Sequence, residues 1–176
     1  MKRDSNMRIA VYPGSFDPIT NGHLSILRRG LEIFDEVVVA VAINPQKRCL
    51  FTIEERLDMI RQVTAGMEGV RVDTFEGLLV DYVERQGSNV ILRGLRALSD
   101  FDYEFQLALI NRKLNRKVQS VFLMTDYKWL YVSSTIIKEA ASLGGDVNAL
   151  VPDVVRDKLA QKYPALRRRL EANARH

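Results

Sequence analysis

Val37-Val38-Val39-Ala40-Val41-Ala42-Ile43 is an unbroken apolar run, mostly β-branched, that stops at Asn44-Pro45. A strand with one wet face alternates apolar and polar residues. This one does not, so it is covered on both faces, as in a parallel sheet. Shorter runs of the same kind recur on either side. Ile9-Ala10-Val11-Tyr12 ends at Pro13-Gly14, and Asn89–Leu92 and Ser120–Met124 are further strands, whereas Val70–Thr74 alternates like an edge strand. Helical spacing fills the gaps. Leu24, Leu27, Leu31 and Phe34 mark a helix from Asn21, and Thr52-Ile53-Glu54-Glu55 is a capping box that opens a second. Leu78–Gln86, Asp100–Leu114, Ser133–Leu143 and Pro152–Lys162 follow, the last of these read as the final helix. Alternating strands and helices predict a single-domain, Rossmann-like, doubly wound α/β fold of about five parallel strands with flanking helices.

Composition narrows the class. The 176 residues suit one domain, and 47% hydrophobic content suits a folded one. No apolar run approaches the ~20 residues of a membrane span. The single cysteine, Cys49, supports no disulfide framework or cysteine metal site, which points to a reducing, cytoplasmic setting. The net charge of +4 is unevenly placed. From Arg156 onward, seven basic residues face only Asp157 and Glu171, so a basic tail sits on a near-neutral body. That distribution argues against a nucleic-acid or membrane surface. Residues 1–7 read as a flexible extension, 8–163 as the domain and 164–176 as the basic tail.

In a doubly wound sheet, ligands bind beyond the carboxyl ends of the strands. The first such loop is Tyr12-Pro13-Gly14-Ser15-Phe16, which leads to Thr20-Asn21-Gly22-His23 at a helix start, where N–H groups and the dipole attract anions. The second adds Lys47 and Arg48. The fourth, Leu92-Arg93-Gly94-Leu95-Arg96, presents two guanidinium groups suited to phosphate, unless Asp100, Asp102 or Glu104 takes them. The fifth ends in Ser133-Ser134-Thr135, which either caps its helix or cradles a phosphate. Together these loops describe a polyphosphate site. Neither G-x-x-x-x-G-K-[ST] nor G-x-G-x-x-G is present, so the chain reads as neither a P-loop ATPase nor a nicotinamide enzyme.

Thr20-Asn21-Gly22-His23 resembles the T-x-G-H motif of the nucleotidyltransferase superfamily, and Val132-Ser133-Ser134-Thr135-Ile136-Ile137 resembles its I-S-S-T-x-[IK] motif. Within the superfamily the chain is most similar to bacterial phosphopantetheine adenylyltransferases. The similarity is carried by Tyr12–His23, by Arg93-Gly94-Leu95-Arg96-Ala97 with Asp102-Tyr103-Glu104, and by Ser133–Val147. Ser15 stands where many members have Thr, which keeps the hydroxyl. The resemblance implies that Ser15 and Phe16 lie at the ATP phosphates, with Ser15 also near the acceptor. It implies that His23 binds ATP and stabilises the transition state. Lys47, Leu79 and Arg93 would contact pantetheine, with Lys47 and Arg93 also catalytic. Gly94, Leu95, Arg96, Glu104 and the run Trp129, Leu130, Tyr131, Val132, Ser133, Ser134 and Thr135 would serve ATP. It further implies magnesium held mainly on ATP oxygens, a homohexamer and feedback by coenzyme A.

The rival readings are a nucleotidyltransferase with another acceptor, such as nicotinate mononucleotide or glycerol 3-phosphate, and a nucleotide sensor without turnover. A class I aminoacyl-tRNA synthetase is a poor match, since no K-M-S-K-S occurs.

Overall fold

In the computed structural model, which describes residues 7–96 and 98–173, five strands form one parallel sheet. They are β1 (Ile9–Gly14), β2 (Glu36–Ala42), β3 (Val70–Phe75), β4 (Val90–Leu95) and β5 (Gln119–Met124). The helices are α1 (Asn21–Leu31), α2 (Ile53–Val63), α3 (Leu79–Arg85), α4 (Leu98–Leu114), α5 (Ser134–Ser142), α6 (Asp153–Lys162) and α7 (Pro164–Asn173).

The strand order is β3-β2-β1-β4-β5, with β3 at one edge as its alternation predicts. The chain winds outward from β1 through β2 to β3, then returns to lay β4 on the other side of β1. The reversal between β1 and β4 opens a crevice beyond their carboxyl ends. Strand β2 behaves as its sequence requires. Val37, Val39 and Val41 enter the larger core cluster, while Val38 and Ala40 enter the one on the opposite face. Burial on both sides leaves no place for a polar residue between Val37 and Ala42.

Two expectations need correction. Arg93 and Gly94 do not begin a loop. They belong to β4, because pairing with β5 continues through Arg93–Phe122, Gly94–Leu123 and Leu95–Met124. Helix α6 is also not the last. Pro164, whose missing N–H costs nothing in a first turn, opens α7 within the stretch set apart as a basic tail. Leu166 is fully buried, and Leu170, one turn later, packs on the same core. Arg169 Nη1 donates to the Gly144 carbonyl at 3.1 Å, so part of the basic run is used structurally. The residues 1–6 of the expected extension, the last three of the tail and Ala97 lie outside the described residues.

Helix α4 carries its apolar residues on the outer side. Glu104 is buried toward the sheet, whereas Phe101, Phe105, Leu109, Ile110 and Leu114 are exposed. Phe101 and Phe105 stack there with ring centroids 5.6 Å apart, and soluble monomers rarely expose large apolar patches.

Candidate active site

The crevice holds two adjoining cavities. The larger, about 530 Å³, is walled by β1, the start of α1, the end of β4 and the start of α5. The smaller, about 280 Å³, lies toward β2 and β3. Pro13, Gly14, Ser15 and Arg93 line both.

His23 sits in the first turn of α1. Thr20 is the N-cap, and its hydroxyl accepts the His23 N–H at 3.4 Å. The Thr20 N–H donates back to His23 Nδ1 at 3.0 Å. His23 therefore completes a capping box in the place usually held by Glu or Gln. Because Nδ1 accepts, the ring proton resides on Nε2. Burial, followed by the nearby Arg96 and Arg93, lowers its pKa to about 4. The sequence left the protonation state of His23 open. The structure makes it a neutral donor of one Nε2–H.

Both guanidinium groups have carboxylate partners. Arg93 forms a two-pronged pair with Glu104, with Nε at 2.6 Å from Oε2, and its Nη1 donates to the Pro13 carbonyl at 2.9 Å. This pairing outweighs burial and raises the Arg93 pKa above its already high ordinary value. Arg96 grips Asp100 at 3.0 and 3.1 Å and reaches the Val132 carbonyl at 3.3 Å. The pairing anticipated as the bland alternative is thus real, yet Arg93 and Arg96 still line the larger cavity. A guanidinium held by a carboxylate and a carbonyl is fixed in direction and keeps edge donors for a further anion.

Lys47 is exposed, and its Nζ donates to Ser15 Oγ at 2.9 Å across the mouth of the smaller cavity, which Leu79 also lines. Ser133 Oγ accepts the Ile136 N–H at 3.2 Å and caps α5, while the Ser134 hydroxyl donates to the Pro18 carbonyl at 2.7 Å. Both side chains are engaged, so the first-turn N–H groups of α5 are what an anion meets in the larger cavity. Phe16 and Val132 wall that cavity, and Gly94 forms part of it under α1. A Cβ on Gly94 would come within 2.8 Å of Ile26. Leu95, Trp129, Leu130, Tyr131 and Thr135 are not among the residues lining either cavity. Trp129 packs beside Gly22, and Leu130 and Tyr131 are exposed.

A supporting network was missed. Asp17 is buried and accepts the N–H groups of Leu50 and Phe51 at 3.0 and 2.9 Å, and Lys138 Nζ at 2.6 Å. Burial would raise its pKa, but Lys138 and the two amides outweigh that and hold it below the usual carboxylate range. Asp17 thereby ties the first loop to α5 and to the chain that carries Lys47. Arg56, on α2, donates to the carbonyls of Ser15 and Thr52. Its sequence signal was a charged residue on the same helical face as Met59 and Ile60. Tyr12 and Thr125 also wall the larger cavity.

The sequence model of the cytidylyltransferase-like family matches residues 11–140. A phosphopantetheine adenylyltransferase of Syntrophus aciditrophicus is 62% identical over 159 residues, covering 90% of this chain and 96% of its own. One from Nitratidesulfovibrio vulgaris strain DP4 is 64% identical over 160 residues, covering 91% and 86%. A solved structure from Vibrio parahaemolyticus, described as a nicotinate-nucleotide adenylyltransferase, superposes with a TM-score of 0.66 over 89% of this chain and 93% of that one. Its 19% identity speaks to the fold alone. Identity of this extent, over nearly the whole length of the relatives, places the chain in the phosphopantetheine adenylyltransferase family of cytidylyltransferase-like proteins.

Proposed function

We propose that the chain transfers an adenylyl group reversibly from ATP to phosphopantetheine, giving dephospho-coenzyme A and pyrophosphate in coenzyme A synthesis. The observation that carries this reading is the shared wall of the two cavities, at Pro13, Gly14, Ser15 and Arg93. The larger cavity takes ATP, with its phosphates at Ser15, Phe16, His23 and the α5 N-terminus. The smaller takes the pantetheine arm along Leu79 and its phosphate beside Lys47. The attacking phosphate and the ATP α-phosphorus then meet at the common wall.

The chemistry asks little of the protein beyond placement. A phosphomonoester with a second pKa of ~6 is mostly dianionic at neutral pH and needs no general base. It attacks the α-phosphorus in line, a P–O bond forms, and the bond to pyrophosphate breaks, with no covalent enzyme intermediate. The barrier is the approach of two anions, which positioning and charge neutralisation lower. Lys47 and Arg93 supply positive charge at the wall. The His23 Nε2–H supplies a hydrogen bond that strengthens as charge moves onto the phosphoryl oxygens.

Magnesium enters with ATP. Among the described residues no group of three or more His, Cys, Asp or Glu could hold a metal ion. The cavity carboxylates Asp100 and Glu104 are already taken by Arg96 and Arg93. Nucleotide oxygens and water would then serve as its ligands, and it would offset their charge. The exposed apolar side of α4 supports assembly of several copies, for which a homohexamer is the expected form. A cytoplasmic setting and feedback by coenzyme A belong to the same reading.

The test is pyrophosphate release from ATP and magnesium, with phosphopantetheine, nicotinate mononucleotide and glycerol 3-phosphate offered separately. Release with phosphopantetheine alone, with dephospho-coenzyme A formed, is expected. Release only with another acceptor overturns the choice of substrate. ATP binding without release for any of them supports a sensor instead.

A further inference from the structure

Arg56 is 4% exposed and is in no ion pair among the described residues. The acids close by do not pair with it: Asp17 is committed to Lys138 and Glu55 to Lys162, while Glu54, whose carboxylate feels the Arg56 charge, is exposed. Its hydrogen bonds go to two carbonyls, from Nη1 to Ser15 O at 2.8 Å and from Nε to Thr52 O at 3.3 Å. A buried charge without a counter-ion is costly, and an apolar residue on this face of α2 would avoid that cost. The position therefore calls for a use.

Ser15 shows what that use is. The next residue, Phe16, has φ of +43°, a left-handed backbone that a bulky aromatic adopts only when its surroundings impose it. The Ser15–Phe16 peptide is planar and trans, so the Phe16 N–H points opposite to the Ser15 carbonyl. Arg56 draws that carbonyl toward α2. The Phe16 N–H is thereby turned away from α2, and it has no hydrogen-bond partner among the described residues. Gly14, Ser15 and Phe16 form the wall of the larger cavity on this side.

We propose that Arg56 is a positioning residue for adenylyl transfer. It fixes the Ser15–Phe16 peptide so that the Phe16 N–H faces the reacting phosphates, and it lends a buried positive charge to the shared wall. The inference rests on the adenylyl-transfer reading above. Arg56 touches no substrate itself, and its effect passes through the peptide it holds.

The experiment compares kcat and both KM values for the unaltered protein, Arg56→Met and Arg56→Lys, alongside melting temperatures. Arg56→Met removes charge and hydrogen bonds while keeping the apolar stem, and kcat is expected to fall about a hundredfold, as for a small misplacement at a reacting centre. The ATP KM is expected to move by less than about threefold, since the lost contact acts in the transition state. Arg56→Lys is expected to recover about tenfold of the loss, because an ammonium keeps the charge but cannot fork between two carbonyls. A lowered melting temperature with kcat unchanged in Arg56→Met would assign Arg56 to stability alone and overturn the proposal. If Arg56→Met does not fold, Arg56→Lys decides: a kcat equal to that of the unaltered protein overturns it, and a folded variant with reduced kcat supports it. No turnover by the unaltered protein overturns the function and this inference together, whereas turnover indifferent to Arg56 overturns only the inference.

Discussion

The Thr20 backbone N–H donates to Nδ1 of His23 at 3.0 Å, and this bond sets the tautomer of the neutral ring. A protonated ring would place an N–H against an N–H at Nδ1. It would also add a cation beside Arg93 and Arg96, which burial already disfavours. Both effects favour the neutral ring, whose pKa burial, Arg96 and Arg93 lower to about 4.

Two measurements follow from that neutrality. His23→Ala is expected to lower kcat by about 10²–10³, the scale for removing one donor aimed at developing charge, with little change in the ATP KM. A pure KM effect would leave His23 only a binding role. Stability has its own signature. The unfolded histidine takes up a proton near pH 6.5, while the folded one stays neutral down to about 4. Unfolding in that window absorbs a proton, so acid favours it and stability declines as pH falls from about 6.5 to about 4. Melting curves across this range are expected to decline less steeply for His23→Gln than for the unaltered protein. Identical slopes would show that His23 titrates normally.

Asp17 is the second test. Its carboxylate receives Lys138 Nζ and the amides of Leu50 and Phe51, so one buried group joins the first loop, α5 and the segment after Lys47. Asp17→Asn leaves Lys138 without its partner and is expected to cost roughly 3–5 kcal/mol, as for breaking a buried pair from one side. Adding Lys138→Met should return part of that loss, which denaturant unfolding of the single and double variants measures. The pH sense is opposite in origin to that of a raised group. The folded pKa is depressed, so the stabilisation is complete above the ordinary carboxylate pKa of ~3.9 and is lost as pH falls through the lower folded value. An acid-unfolding midpoint that Asp17→Asn leaves in place would remove Asp17 from this role.

How far these features could be read beforehand depends on the distance over which each is specified. The β2 run announces its own burial, because seven consecutive residues carry the whole signal. The phosphate loops are legible for the same reason: strand, Gly14 and helix start are contiguous. Arg93 was placed one element too late because the ladder that keeps it in β4 is set by Phe122, 29 positions away. The protonation state of His23 was not legible, because the Thr20 bond and two arginines about 70 positions along the chain determine it. Helix α7 was masked by Arg167–Arg169, although Leu166 and Leu170 lie at helical spacing within the same stretch. Asp17 and Arg56 act between loops that meet only after folding, and a single sequence holds no local trace of such meetings beyond a charge on an apolar face.

The outer side of α4 gives the last prediction. Leu109 and Ile110 are each more than half exposed, and Phe101, Phe105 and Leu114 extend the same apolar surface. Leaving such a surface in water forgoes about 25 cal/mol per Å² of apolar area, so copies that cover it with one another gain stability. A charge at its centre removes that gain and leaves two facing charges in a dry contact. Leu109→Glu is expected to lower the mass measured by light scattering to that of a smaller assembly or a single chain. The fold should remain, since this side chain lies outside the core. Turnover per chain should also fall, because Glu104, the partner of Arg93, lies on the sheet side of the same helix. An unchanged mass would show that α4 is not the contact between copies. A reduced mass with full turnover would show that the cavity is complete within one chain.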